Sequence, residues 1–246
     1  MIASIGAVTR PFAEPDSVVV YEVQGAAGVP DAVFLALDLG VLASRRSLGF
    51  LTEPAMLGAV VALSRAQARG EVLGASEVAG LLGVTRAHAV ANVLPALESQ
   101  GYVVRRGGGV WSAAQPFRSV ARSVVTVEAK LRDWKRGLGQ ATRHAAGADR
   151  SWLVIDAASA AAASKSREWF TALGVGLATL HVSGEVTALV EPRRAEVLPL
   201  RRELLAERAA AIYAAGGASG PVRPVFGRLL APTTGPDPRL AGAGAR

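Results

Sequence analysis

The chain has 246 residues, 50% of them hydrophobic but only 5% aromatic, with a formal net charge of +7 and no cysteine. That length allows one large or two small domains, whose cores must be built from Ala, Val and Leu. Lack of cysteine excludes disulfides, thiolate zinc sites and cysteine nucleophiles, while the positive charge favours nucleic acid or an acidic membrane surface as partner.

The opening "MIASIGAVTRPFAEPDS" has no basic stretch followed by an apolar core, so no secretory signal is expected. No apolar run reaches membrane-spanning length, since "AVFLALDLGVLAS" is broken by Asp38. A soluble, cytoplasmic chain with no membrane partner is the expectation.

The β-branched run Ser17 to Val23 reads as a strand, ending beside Glu22. After the glycine turn "QGAAGVP", Asp31 opens a second strand, with Val33 and Leu35 on its own face. The period then becomes helical from Pro54 to Ala68, with Thr52 as N-cap and Gly70 as stop. Next comes a short helix ending at Gly83, a turn whose Thr85 caps a second helix, and a two-stranded hairpin around Gly107 to Gly109.

Strand alternation over "VVTVEAK" puts Val124, Thr126, Glu128 and Lys130 on one face and Val125, Val127 and Ala129 on the other. A helix from about Asp133 to His144 comes next, with Trp134, Leu138 and Ala141 on its apolar side. Arg136, Gln140 and Arg143 share another side by i, i+4, i+7 spacing. Gly137 and Gly139 are expected to weaken that helix by roughly 1 kcal/mol each relative to Ala. The three histidines, His88, His144 and His181, are scattered and show no metal-ligand spacing. "SWLVIDAA" is a further strand, "SKSREWFTALG" a helix, and "GLATLHV-SGE-VTALVEP" a hairpin. A last helix, "LPLRRELLAERAAAIYAA", reads as a charged, solvated face, with Arg201, Arg202 and Arg208 against Glu203 and Glu207. From Gly216 on, composition suggests a disordered basic tail.

The segment from about Glu53 to Gln115 resembles a bacterial winged helix-turn-helix through "SEVAGLLGVTRAHAVANVLPALESQGYVVRRGGGVW". The resemblance implies a small core of Ala79, Leu82, Val84, Val90, Leu94 and Leu97. It implies a second helix in the DNA major groove and the glycine hairpin as the wing. Thr85, Arg86, His88 and Asn92 would face bases or phosphates, and Arg105 and Arg106 would contact phosphates along the wing. Pro95 departs from the pattern and should bend or shorten the helix. A protein-interaction or dimerisation module is the alternative.

With that unit cut out, the flanks resemble the PD-(D/E)xK nuclease superfamily. The resemblance rests on Pro30-Asp31, Glu128-Ala129-Lys130, Gln140 on the helix after them, and the strand "SWLVI". It implies an α/β restriction-endonuclease-like mixed sheet flanked by helices. Residues 1–52 and 116–215 would form the nuclease-like domain, 53–115 the inserted winged helix, and 216–246 the tail. Asp31 and Glu128, with Glu22 as an additional acid, would be hard oxygen ligands for Mg²⁺. Lys130 would orient water or stabilise the phosphorane, Gln140 would point into the cleft, and Arg136 and Arg143 would track the nucleic-acid backbone.

Two functions stay open: DNA binding with Mg²⁺-dependent phosphodiester hydrolysis, or a non-catalytic DNA-binding regulator. In the second, the nuclease-like domain serves dimerisation or partner binding, and Glu128 and Lys130 are a structural ion pair. RNA remains a third polyanion compatible with the charge. A homodimer is a candidate assembly.

Overall fold

A computed structural model describes residues 11–14, 16–195 and 197–219 of the chain. The basic tail expected from Gly216 lies, from residue 220 onward, outside the described residues. In chain order the first elements are β1 (Val18–Tyr21), β2 (Ala32–Leu37), α1 (Leu39–Leu48), α2 (Pro54–Ala68), β3 (Leu73–Gly74) and α3 (Ala75–Leu82). Then come α4 (residues 86–99), β4 (Val103–Arg105), β5 (Val110–Ala113), β6 (Ala121–Lys130), α5 (Trp134–Ala145) and β7 (Arg150–Asp156). The chain continues through α6 (Ala161–Lys165), α7 (Arg167–Leu173), β8 (Gly176–Leu180), β9 (Val186–Val190) and α8 (Pro199–Ala214).

Two compact units result. One joins the described residues up to Asp38 with those from Ala121 onward; the other runs from Leu39 to Val120. The first is α/β, built on a six-stranded mixed sheet in the order β1-β2-β6-β7-β8-β9. β6, β7 and β8 are parallel, while β1, β2 and β9 pair antiparallel. Parallel neighbours need a crossover. α5 supplies it between β6 and β7, and α6 with α7 between β7 and β8.

Alternation in the β-branched strands divides the core. On one face Phe34, Val125, Val127, Ala129, Trp152 and Val154 pack with Phe12, whose ring meets Trp152 edge-on at 5.5 Å. On the other face Leu153, Ile155 and Leu177 pack with Leu138 and Ala141 of α5 and Phe170 of α7. Trp134 joins this layer, 5.9 Å from the Phe170 ring.

α8 departs from its expected solvated face. Arg202 is 8% exposed and Glu207 0%, alongside buried Leu204, Leu205, Ala206, Ala209 and Ala210. A buried cation persists only when paired and hydrogen-bonded. Arg202 is both: Nε and Nη2 donate to Asp149 at 3.1 and 2.9 Å, Nη2 to Ala121 O and Arg122 O, and Nη1 to Glu203 at 2.7 Å. Asp149 Oδ2 also accepts the Val124 N–H at 2.8 Å. This network ties α8 to the start of β6.

In the second unit α2 packs against α3, α4 and β5, and the strands form a three-stranded antiparallel sheet ordered β3-β5-β4. Helix α2 starts at Pro54 with Glu53, not Thr52, in the capping position. Proline at the first helical position needs no N–H partner, which sets the start there. Thr85 caps α4 as expected, its Oγ1 accepting the His88 N–H at 3.1 Å. Pro95 neither ends nor breaks that helix. The chain takes an i→i+5 turn over Ala89–Val93, with the Leu94 N–H donating to Ala89 O, and resumes α-helix through Ser99. Ala79, Leu94 and Leu97 are core as expected, but Ala89 and Val93 fill the inward positions and Val90 is exposed.

Candidate functional site

The β2–β6 register pairs Ala32 with Val127, so Asp31, one residue before β2, lies across from Glu128. Residues far apart in sequence thus meet at one strand end. The Asp31 carboxylate extends the ladder beyond the last strand pair: its Oδ2 accepts the Ala129 N–H at 2.7 Å. Glu128 and Lys130 share the α5 side of the sheet, and Lys130 Nζ donates to Glu128 Oε1 at 2.5 Å. Glu22 comes directly after β1 at a left-handed φ of 51°, is buried, and donates its N–H to Asp31 O at 3.3 Å. Asp31 and Glu128 therefore stand at adjoining strand ends, with the Glu22 backbone beside Asp31.

Sequence reasoning misses His144 by treating the histidines as scattered. It lies on the inward stripe of α5, three residues after Ala141 and seven after Gly137, and that spacing is the available signal. Its Nε2 is 3.3 Å from Glu128 Oε2, within ion-pair range but not aligned as a hydrogen bond. Gly28, at φ 123°, leaves room for this ring, because a Cβ there would stand 3.0 Å from His144 Cε1. Gly137 has a matching role. A Cβ on it would lie 2.6 Å from Leu153 Cδ1 and 2.8 Å from Lys130 Cγ, so its lack of a side chain lets α5 approach the strand beside Lys130.

Electrostatics separate the two acids. Burial and the neighbouring Glu128 carboxylate push Asp31 up to about 6, against the pull of the Ala129 N–H, Lys130 and His144. Burial would raise Glu128 too, but His144 and Lys130 together hold it below the usual carboxylate range.

Several polar atoms at this strand end lack partners. Thr126 Oγ1, Glu128 Oε2, His144 Nε2 and Gln140 Oε1 are buried without a hydrogen bond. Asp31 Oδ1 makes none among the described residues. Two adjacent carboxylates with uncommitted oxygens are a donor set that fits a hard divalent cation. Mg²⁺ typically takes one or two carboxylates and fills its shell with water and phosphate oxygens. Among the described residues, no three His, Cys, Asp or Glu side chains are placed to share an ion. Beside the cluster, Lys130, Arg132 and Arg136 line an open concavity with Leu131 and Asp133. Arg136 and Arg143 are exposed on α5, and Gln140 between them is half-buried.

In the second unit, Thr85, Arg86, His88 and Asn92 gather on the exposed N-terminal half of α4. The Thr85 hydroxyl is engaged in capping, and Asn92 Nδ2 lies 3.2 Å from His88 Nδ1 as a hydrogen-bonded pair. Arg105 and Arg106 flank the glycine hairpin: Arg105 stacks 5.9 Å from the Trp111 ring, and Arg106 Nε donates to Ser112 Oγ at 3.0 Å. Among the described residues, no helix is long and apolar enough to cross a membrane. No family model, curated protein or solved structure matches the chain.

Proposed function

We propose that the chain is a DNA-binding protein with a PD-(D/E)xK-like domain, a winged helix inserted in it, and a Mg²⁺-dependent phosphodiester-cleaving site at Asp31, Glu128 and Lys130. The observation that carries this reading is the juxtaposition of Asp31 with Glu128 and Lys130 on adjoining strands. The helix–strand order of the second unit, with strands β3-β5-β4 and an arginine-bearing glycine hairpin, supports the winged helix.

Each residue then has a task. Asp31 and Glu128 hold the cation, with Glu22 adjoining. The bound ion supplies Lewis-acid stabilisation of phosphate charge and a more acidic water. Lys130, whose ammonium is anchored on Glu128, would stabilise charge on a phosphodiester lying in the concavity that it helps to line, and Gln140 would add an amide. Arg136 and Arg143 offer the backbone exposed cations, while Arg86, Asn92, Arg105 and Arg106 bind duplex from the second unit.

A specific observation favours a second reading. The Glu128 side chain is 2% exposed and its oxygens face Lys130 and His144. In that case the cluster holds a scaffold together, and the protein is a non-catalytic DNA-binding regulator, homodimeric through the nuclease-like domain. Incubation of duplex, single-stranded and branched DNA with Mg²⁺ or Mn²⁺ separates the two. Cleavage that is abolished in Asp31→Asn and Lys130→Ala, with DNA binding retained, supports the first. Wild-type binding without cleavage of any substrate leaves the second, and RNA bound in preference to DNA overturns both.

A further inference from the structure

Helix α4 turns an apolar residue outward. The winged-helix resemblance implies a core place for Val90, yet Val90 is 44% exposed, and Ala89 and Val93, within an i→i+5 turn, take the inward positions. Turns of this kind are rare and recur at functional sites. Ala87 and Ala91 are exposed as well. The exposed residues of this part of α4 thus include three that end in methyl groups. Polar residues accompany them: Arg86 lies one turn before Val90, and His88 pairs with Asn92.

We propose that Val90, with Ala87 and Ala91, reads thymine 5-methyl groups in the major groove, so that the preferred duplex presents thymine under the middle of α4. The proposal rests on the DNA-binding reading above and names the class of sequence that reading leaves open. Thymine is the base whose major-groove edge carries a methyl group, and a side chain without donors or acceptors gains nothing from the other edges. Charge argues for DNA as the partner of these residues. Residues 39–120 contain no aspartate, their arginines outnumber their glutamates, and α4 carries no acidic residue before Glu98.

The test uses the full chain. Bound duplexes are selected from a random-sequence pool, and their affinities are then measured with thymine or with deoxyuridine, which lacks the methyl. Wild type should bind the deoxyuridine duplex about fourfold more weakly for each thymine methyl that these residues cover. Val90→Ser, an exposed substitution, should lose most of that difference, Ala87 and Ala91 keeping the rest. Equal wild-type affinity for the two duplexes overturns the thymine inference and leaves DNA binding standing. A thymine preference that persists undiminished in Val90→Ser overturns the assignment to Val90. No duplex retained from the pool overturns the DNA-binding reading itself, and this inference with it.

Discussion

Strand β6 carries a buried charge cluster at each end, and the two are built differently. At its start, Asp149 and Arg202 satisfy each other, three backbone groups and Glu203. Burial would lower the Arg202 pKa, but Asp149 and Glu203 raise it overall. At its end, Glu128 Oε2, Thr126 Oγ1 and His144 Nε2 have no hydrogen bond, and Asp31 is pushed up to about 6. Buried polar groups in folded proteins are normally paired; at the start Glu203 Oε2 is left over while Asp149 and Arg202 are engaged, so that cluster reads as structure, and the more under-paired one as a place for something else. The same strand therefore separates a lock from a candidate site.

The sharpest way to break that contrast is at the lock. Arg202→Ala leaves Asp149 buried with only the exposed Arg194, 3.9 Å away, for a cation and should cost about 3–5 kcal/mol in denaturant unfolding. A loss under about 1 kcal/mol, typical of exposed pairs, would mean that Asp149 is not held by Arg202.

Gly137→Ala probes the close approach of α5 to the site. Alanine favours helix by about 1 kcal/mol, yet its methyl would crowd Leu153 and Lys130. Overpacking of about 1–3 kcal/mol should prevail and lower stability. A stabilised variant would show that α5 stands farther from β6.

Asp31 is a place where removing a charge should help. Its folded pKa is raised to about 6. Its favourable contribution is therefore present below the ordinary aspartate range and is lost as pH rises through about 6. Asp31→Asn keeps an oxygen acceptor for the Ala129 N–H and removes that titration. The variant should be more stable than wild type near pH 8, by roughly 1–3 kcal/mol, and the difference should vanish near pH 4. Unfolding curves at both pH values check the sign; a variant less stable near pH 8 would mean that the Asp31 charge is welcome where it lies. Glu128, held low, adds the reverse dependence, present at neutral pH and lost on acidification through its folded pKa.

The smallest effect belongs to the second unit. Thr85→Ala removes the cap of α4 and should lower stability by about 1 kcal/mol. An unchanged unfolding midpoint would show that the His88 N–H finds another acceptor.

Much of this is legible in the residues. The alternation in "VVTVEAK" places Glu128 and Lys130 on one face, and the resemblance of the spliced flanks to a nuclease family brings Asp31 into consideration despite its distance in sequence. What escapes is tertiary. His144 gives no local signal beyond its place on a stripe of small residues, and Gly137 looks like a weakness because the strand it approaches is not visible. Arg202 looks solvated because charge pattern alone cannot show that an aspartate, Asp149, stands at the other end of a buried network. Val90 misleads for a different reason. The winged-helix resemblance implies a core place for it, but Ala89 and Val93, within an i→i+5 turn, take the inward positions.

Titration with Mg²⁺ tests the central claim most directly, read as the unfolding midpoint of wild type, Asp31→Asn and Glu128→Gln at a pH above 6. Binding to the folded state alone raises stability in proportion to the logarithm of ligand concentration. The expected result is a midpoint that climbs with Mg²⁺ in wild type and stays flat in both variants. The same response in all three proteins, or none in wild type, would contradict a cation site at the strand end.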